Sequence, residues 1–77
     1  MGFNYNKLRG KIREIFGTEY KFARAMEMSK NSLSDKVNNK VEFTQKEIEK
    51  AVKLLRIPKE EIPMYFFTPE VQFPELM

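Results

Sequence analysis

Neither cysteine nor histidine occurs in this 77-residue chain, and that absence limits its folding more than any other feature. Domains below the usual ~100–150 residues often borrow stability from disulfides or structural zinc. Here apolar side chains must do that work alone. With 42% apolar and 32% charged residues, the balance is that of a globular chain with room for one domain. The same absence removes thiol nucleophiles, Cys/His zinc sites and every mechanism needing an imidazole base. The three glycines, Gly2, Gly10 and Gly17, are too scattered for a phosphate-cradling loop. No carboxylate stands in a catalytic arrangement, so the expectation is a binding protein, not an enzyme, with no cofactor or metal. Met64-Tyr65-Phe66-Phe67 is the longest strictly apolar run, far short of a membrane span. A cytoplasmic location is expected.

Periodicity points to an all-α chain of five short helices. Leu8, Ile12, Ile15 and Phe16 make one apolar stripe on the first helix, with Gly17 as its left-handed C-terminal glycine. Thr18 can cap a second helix from Glu19 to about Glu27, with Phe22, Ala23 and Met26 inward and Tyr20 half-exposed. Ser29 can cap a third, Lys30 to Asn38, anchored by Leu33 and Val37. Only Met28 and Ser29 separate the two, which suits a sharp turn between crossed helices. The fourth has the clearest start signal. Thr44 and Glu47 form a capping box, and Phe43 and Ile48 a hydrophobic staple. Ile48, Ala51, Val52, Leu54 and Leu55 follow as its buried stripe. Pro58 should stop this helix and open the fifth at N1, with Glu60 and Glu61 in the first turn. Residues 1–67 are expected to form the domain. Residues 68–77, with Val71, Phe73, Leu76 and Met77, would be an extended or flexible tail that could support a homodimer.

Charge is unevenly placed. Residues 1–40 carry nine basic and four acidic side chains, whereas residues 41–77 carry five and seven. A basic half beside an acidic half suggests a face for a polyanion.

The stretch from Phe22 to Lys40, with Ala23 at a helix crossing, Met26 and Met28 around a turn, and Leu33 behind the next helix, resembles the helix-turn-helix of small phage repressors and Cro-like proteins. The resemblance spans about residues 5–67 and extends through Leu54-Leu55-Arg56-Ile57-Pro58. It implies a compact five-helix domain that binds double-stranded operator DNA as a transcriptional regulator of phage or prophage origin, in the bacterial host cytoplasm. A recognition helix meets base edges through its N-terminal half. That assigns base contacts to Lys30, Asn31, Ser34 and Asp35, where the alternative is a solvated face with Asn31 competing for cap bonds. Phosphate contacts fall to the Thr18 hydroxyl with the N–H groups beside it, and to Lys36, Asn38, Asn39 and Lys40. Asn38-Asn39 could equally be only a turn.

Three positions depart from the family pattern. Glu27 stands where the turn usually has glycine, Glu19 where phage repressors often have Gln, and Lys36 where many relatives keep an apolar residue. Glu19 and Glu27 support a second reading. In it, the same fold is an interaction protein that binds a partner repressor and modulates it, with weak or no DNA binding.

Overall fold

The computed structural model describes residues 2–69. In chain order it has α1 (Asn6–Phe16), α2 (Glu19–Ala25), α3 (Lys30–Val37), α4 (Gln45–Leu55) and α5 (Ile62–Phe66), with a 3-10 turn over Lys59–Glu61 leading into α5. Among the described residues there is no strand, only an isolated antiparallel bridge between Phe3 and Pro69. The all-α, five-helix expectation holds. Of the expected tail, Thr68 accepts a hydrogen bond from the Asn4 N–H at 2.7 Å. Val71, Phe73, Leu76 and Met77, and any dimer contact through them, lie outside the described residues.

Phe22, Phe66, Leu8, Ile12, Leu33 and Leu55 are the largest fully buried side chains. They come from all five helices, so burying any one helix face depends on the others. Four aromatic pairs knit the core edges at right-angled or tilted geometry: Phe16–Phe22, Tyr5–Phe43, Phe43–Phe66 and Phe3–Phe67. Edge-to-face packing of this kind adds to the burial itself. Ile15, expected in the apolar stripe of α1, is instead exposed. The chain reverses at Gly17 (φ 86°) toward the Phe16 side, where Phe22 packs, and no described residue buries Ile15.

Helix ends follow one device used three times. In each, a non-glycine residue takes positive φ: Glu27 at 63°, Asn39 at 65° and Arg56 at 55°. Beside it, the next N–H reaches back five residues: Met28 to the Ala23 carbonyl, Lys40 to Asp35, Ile57 to Val52. These are Schellman closures, which satisfy orphan carbonyls at a helix end. Accordingly α2 stops at Ala25, short of the expected Glu27. At the end of α4 the Arg56 closure acts before Pro58 can. Pro58 lies just before the 3-10 turn rather than inside the fifth helix.

A side chain with a Cβ in the left-handed region costs about 1 kcal/mol relative to glycine. Arg56 is exposed, so Arg56→Gly is expected to raise stability by about 0.5–1 kcal/mol, the gain being trimmed by glycine's greater freedom in the unfolded chain. Thermal denaturation should show it as a rise of several degrees, since ~1 kcal/mol moves a domain of this size by roughly 4–8 °C.

Tyr5 sits in the core edge at 7% exposure. Burial first, and the nearby Glu42 carboxylate second, push its phenol above the usual value of 10.0. The unfolded chain therefore loses this proton at lower pH than the folded one. Stability from this group is full below the unfolded value and falls as pH rises beyond it. Tyr5→Phe should flatten that part of the alkaline slope in urea melts, and an unchanged slope would refute the assignment.

Candidate functional site

The site is the α2–α3 pair and the groups that flank it. Thr18 opens α2 by accepting the Lys21 N–H at 3.2 Å. Ala23, 1% exposed, and Leu33, fully buried, let the two helices cross closely. Ser29 opens α3: its Oγ accepts the Ser32 N–H at 3.0 Å, and its hydroxyl donates to Ser32 Oγ at 3.1 Å. The crossed-helix turn read from the sequence is therefore present, with Glu27 in the position that favours glycine. Its carboxylate reaches across to Lys50 Nζ at 3.0 Å.

On α3 the first turn presents Lys30 and Asn31 to solvent, while Ser34 and Asp35 one turn later are half-buried. These four share one helix and extend from its exposed N-terminal end. Ser34 is also engaged from behind, its carbonyl accepting from Asn38 Nδ2 at 2.9 Å.

The residues assigned to phosphate do not form one open set. Thr18 is exposed but caps α2. Lys36 is 9% exposed, and its Nζ stands 3.5 Å from Glu47 Oε1. That oxygen also accepts the Thr44 N–H at 2.9 Å in the capping box of α4. Asn39 is drawn to the N-terminal segment: the Phe3 N–H donates to its Oδ1 at 2.9 Å, and its Nδ2 donates to the Phe3 carbonyl at 2.8 Å. Asn38 folds back on Ser34, leaving Lys40 exposed and without an ion pair among the described residues.

A different group of cations comes together instead. Arg13 from α1, Lys21 from α2 and Lys30 from α3 line one shallow concavity with Thr18, Glu19 and Tyr20. Tyr20 is 54% exposed and lies under the Arg24 guanidinium at 5.9 Å. Glu19 in the same concavity is held by Arg9, Nε to Oε2 at 2.9 Å. Sequence reasoning did not bring Arg13, Lys21 and Tyr20 to Lys30. The available signal was that Arg13 and Lys21 flank the short Gly17-Thr18 reversal, which turns their helices toward each other.

A second exposed feature is apolar. Phe3, Val41, Met64 and Phe67 are each between 38% and 48% exposed. Phe3 and Phe67, with their rings 5.8 Å apart, rim a depression floored by Tyr5, Phe43 and Phe66. Tyr65 and Phe66 are buried as a core lid, and Phe67 is not.

Among solved structures, the chain is similar to the modulator of repression (MOR) of the temperate bacteriophage TP901-1 from Lactococcus lactis, determined in solution. The likeness has 44% sequence identity and a TM-score of 0.77, over 94% of this chain and 97% of that one. No curated protein matches. Membership of the phage repressor and Cro-like family, which the helix-turn-helix suggested, is thereby corrected. The residues behind that resemblance, Ala23, Met26 and Leu33, are buried packing positions that fix the helix crossing and not the ligand. The sequence profile that does match covers residues 1–69, and the chain belongs to that family, described as "Protein of unknown function (DUF739)".

Proposed function

We propose that this chain is a non-enzymatic modulator of a phage repressor, acting by binding the repressor protein in the bacterial host cytoplasm, with little DNA binding of its own. The observation that carries this reading is the 44% identity to a modulator of repression over nearly the whole of both chains. The electrostatics of the site agree with it. Of the cations that a helix-turn-helix would offer to a DNA backbone, Lys36 is largely covered and faces Glu47, and Arg9 is paired with Glu19. A carboxylate that close to a cation cancels its value for counterion release. Phe3 and Phe67, exposed at the rim of the depression, are apolar side chains that a protein partner would cover.

The second reading keeps α3 as a direct reader of double-stranded DNA. Lys30, Asn31, Ser34 and Asp35 would meet base edges, and Thr18, Lys36, Asn38, Asn39 and Lys40 the phosphates. The exposure of Lys30 and Asn31 on the first turn of α3 favours it.

One titration separates the two. The chain is titrated against a candidate phage repressor, and separately against duplex DNA carrying that repressor's operators, across a salt series. Saturable repressor binding with no DNA shift at low salt is the expected result. A DNA affinity falling with a log–log salt slope of about −0.9 per phosphate neutralised, with at least ~10³-fold preference for one sequence, would establish the direct reader instead.

A further inference from the structure

Both flanks of α3 carry a carboxylate where a DNA-gripping surface needs donors. On the α2 side, Glu19 lies in the concavity that also holds Arg13, Thr18, Lys21 and Lys30. Its side chain is only 14% exposed, and its Oε2 is fixed 2.9 Å from Arg9 Nε. On the α4 side, Glu47 stands 3.5 Å from Lys36 Nζ, with the two side chains 26% and 11% exposed. Its position is set by the reciprocal capping box with Thr44. Glu19 is held by Arg9 on α1, and Glu47 by both Lys36 on α3 and the Thr44 N–H.

We infer that Glu19 and Glu47 are specificity residues: they hold nucleic-acid backbone off both flanks of α3 and so reserve this helix-turn-helix for a protein partner. The inference rests on the modulator reading. Its physics is local. The Glu19 carboxylate lines the same concavity as Lys21 and Lys30, so a phosphate held there would meet a group that can only accept and offers it no hydrogen bond. Each carboxylate also cancels one cation, Arg9 on one side and Lys36 on the other, so two charges are withdrawn from those that could release counterions from DNA. Arg13, Lys21 and Lys30, which have no ion pair among the described residues, are left without the flanking contacts that would orient α3 along a groove. Building an opposing charge against the wrong partner is a general route to specificity.

Glu19→Gln and Glu47→Gln remove the charges while keeping shape. A Gln at position 19 can still accept from Arg9, and Gln serves at the N3 position of a capping box as Glu does. The test measures fluorescence anisotropy of a labelled random-sequence duplex with the full chain, each single variant and the double variant, across a salt series. The control is Glu60→Gln/Glu61→Gln, which changes net charge equally on the turn before α5. Thermal melts accompany every variant, so that binding is compared only between folded proteins. The double variant is expected to bind the duplex about tenfold or more tightly than the parent at low salt, with a steeper salt slope. The control should stay near the parent. A folded double variant as blind to DNA as the parent would overturn the inference. So would an equal gain in the control, which would reduce the effect to net charge, or a parent that already binds the duplex tightly. Titration of the repressor into the parent stands apart from these outcomes: its failure would remove the modulator reading while leaving a DNA gain in the double variant to be explained by the same two carboxylates.

Discussion

Phe22→Ala should leave this chain at the edge of unfolding. Phe22 is fully buried, and its ring meets that of Phe16 edge-on at a centroid distance of 5.2 Å, joining α2 to the end of α1. Deleting a buried phenyl ring typically costs about 3–5 kcal/mol, the lost transfer energy being increased by the cavity left behind. A domain of this length has a total stability on the order of 4–11 kcal/mol. The same cost corresponds to a fall in melting temperature of roughly 12–40 °C. Circular dichroism melts should therefore show a broad transition near or below physiological temperature. Partner binding should fall with the folded fraction and no further, because Phe22 has no exposed surface to offer a ligand. A melting temperature within a few degrees of the parent would mean that the neighbouring Phe16 and Met26 collapse into the space. Phe22→Leu, which keeps most of the volume, should sit between the two.

Which parts of this fold were legible in the sequence follows from the range of the interactions involved. The start of α4 was fully legible because its signal is local. Thr44 and Glu47 exchange two hydrogen bonds across three residues, at 2.9 and 3.1 Å, and Phe43 and Ile48 bracket them, half-buried. The caps of α2 and α3 at Thr18 and Ser29 are of the same kind. The ends of α2 and α4 were misplaced by one or two residues because their closures need a residue in the left-handed region. Composition advertises that only when glycine fills it, whereas here Glu27 and Arg56 do. Ile15 was misjudged for another reason. Periodicity reports which face of a helix is apolar, but not how far along the helix the rest of the chain extends to cover it.

The site was legible in its frame and not in its charge pairing. Ala23, Met26 and Leu33 are buried as the crossing requires, so the helix-turn-helix could be read one residue at a time. Arg9–Glu19, Lys36–Glu47 and Lys50–Glu27 join residues ten or more positions apart, and no local pattern encodes them. Those pairings bear most directly on whether α3 faces DNA or protein. Glu19 and Glu27 were visible as departures from a repressor-like pattern, and both turn out to be bonded to cations on other helices. The departures carried more functional information than the matches, since the matches concern packing and the departures concern charge.

Asn39 shows the same limit most sharply, and its substitution is the second large effect expected. Its amide makes two hydrogen bonds to one residue 36 positions away, accepting from the Phe3 N–H and donating to the Phe3 carbonyl, much as a neighbouring strand would. This fastens the N-terminal segment, from which Asn4 in turn reaches the Thr68 carbonyl. The backbone at Asn39 has φ 65°, a conformation Asn tolerates better than most residues and Ala does not. Asn39→Ala thus loses two bonds, each worth about 0.5–1.5 kcal/mol net, and adds left-handed strain of about 1 kcal/mol. The total expected cost is about 2–4 kcal/mol by the same terms. Asn39→Gly separates them, since it relieves the strain but makes neither bond. It should fall between Ala and the parent, about 1 kcal/mol above Ala. Gly2 offers an independent check from the other side, because a Cβ there would lie 2.6 Å from Asn39 Cγ and would push the amide off Phe3. Gly2→Ala should therefore reproduce part of the Asn39→Gly loss, and combining the two should cost less than their sum, as expected for residues sharing one interaction. Amide exchange at Phe3 and Asn4 is the measurement closest to the cause: both should exchange faster in all three variants, with α4 protected as before. Strict additivity between Gly2→Ala and Asn39→Gly, or unchanged exchange at Phe3, would show that the Asn39 amide does not hold the N-terminal segment.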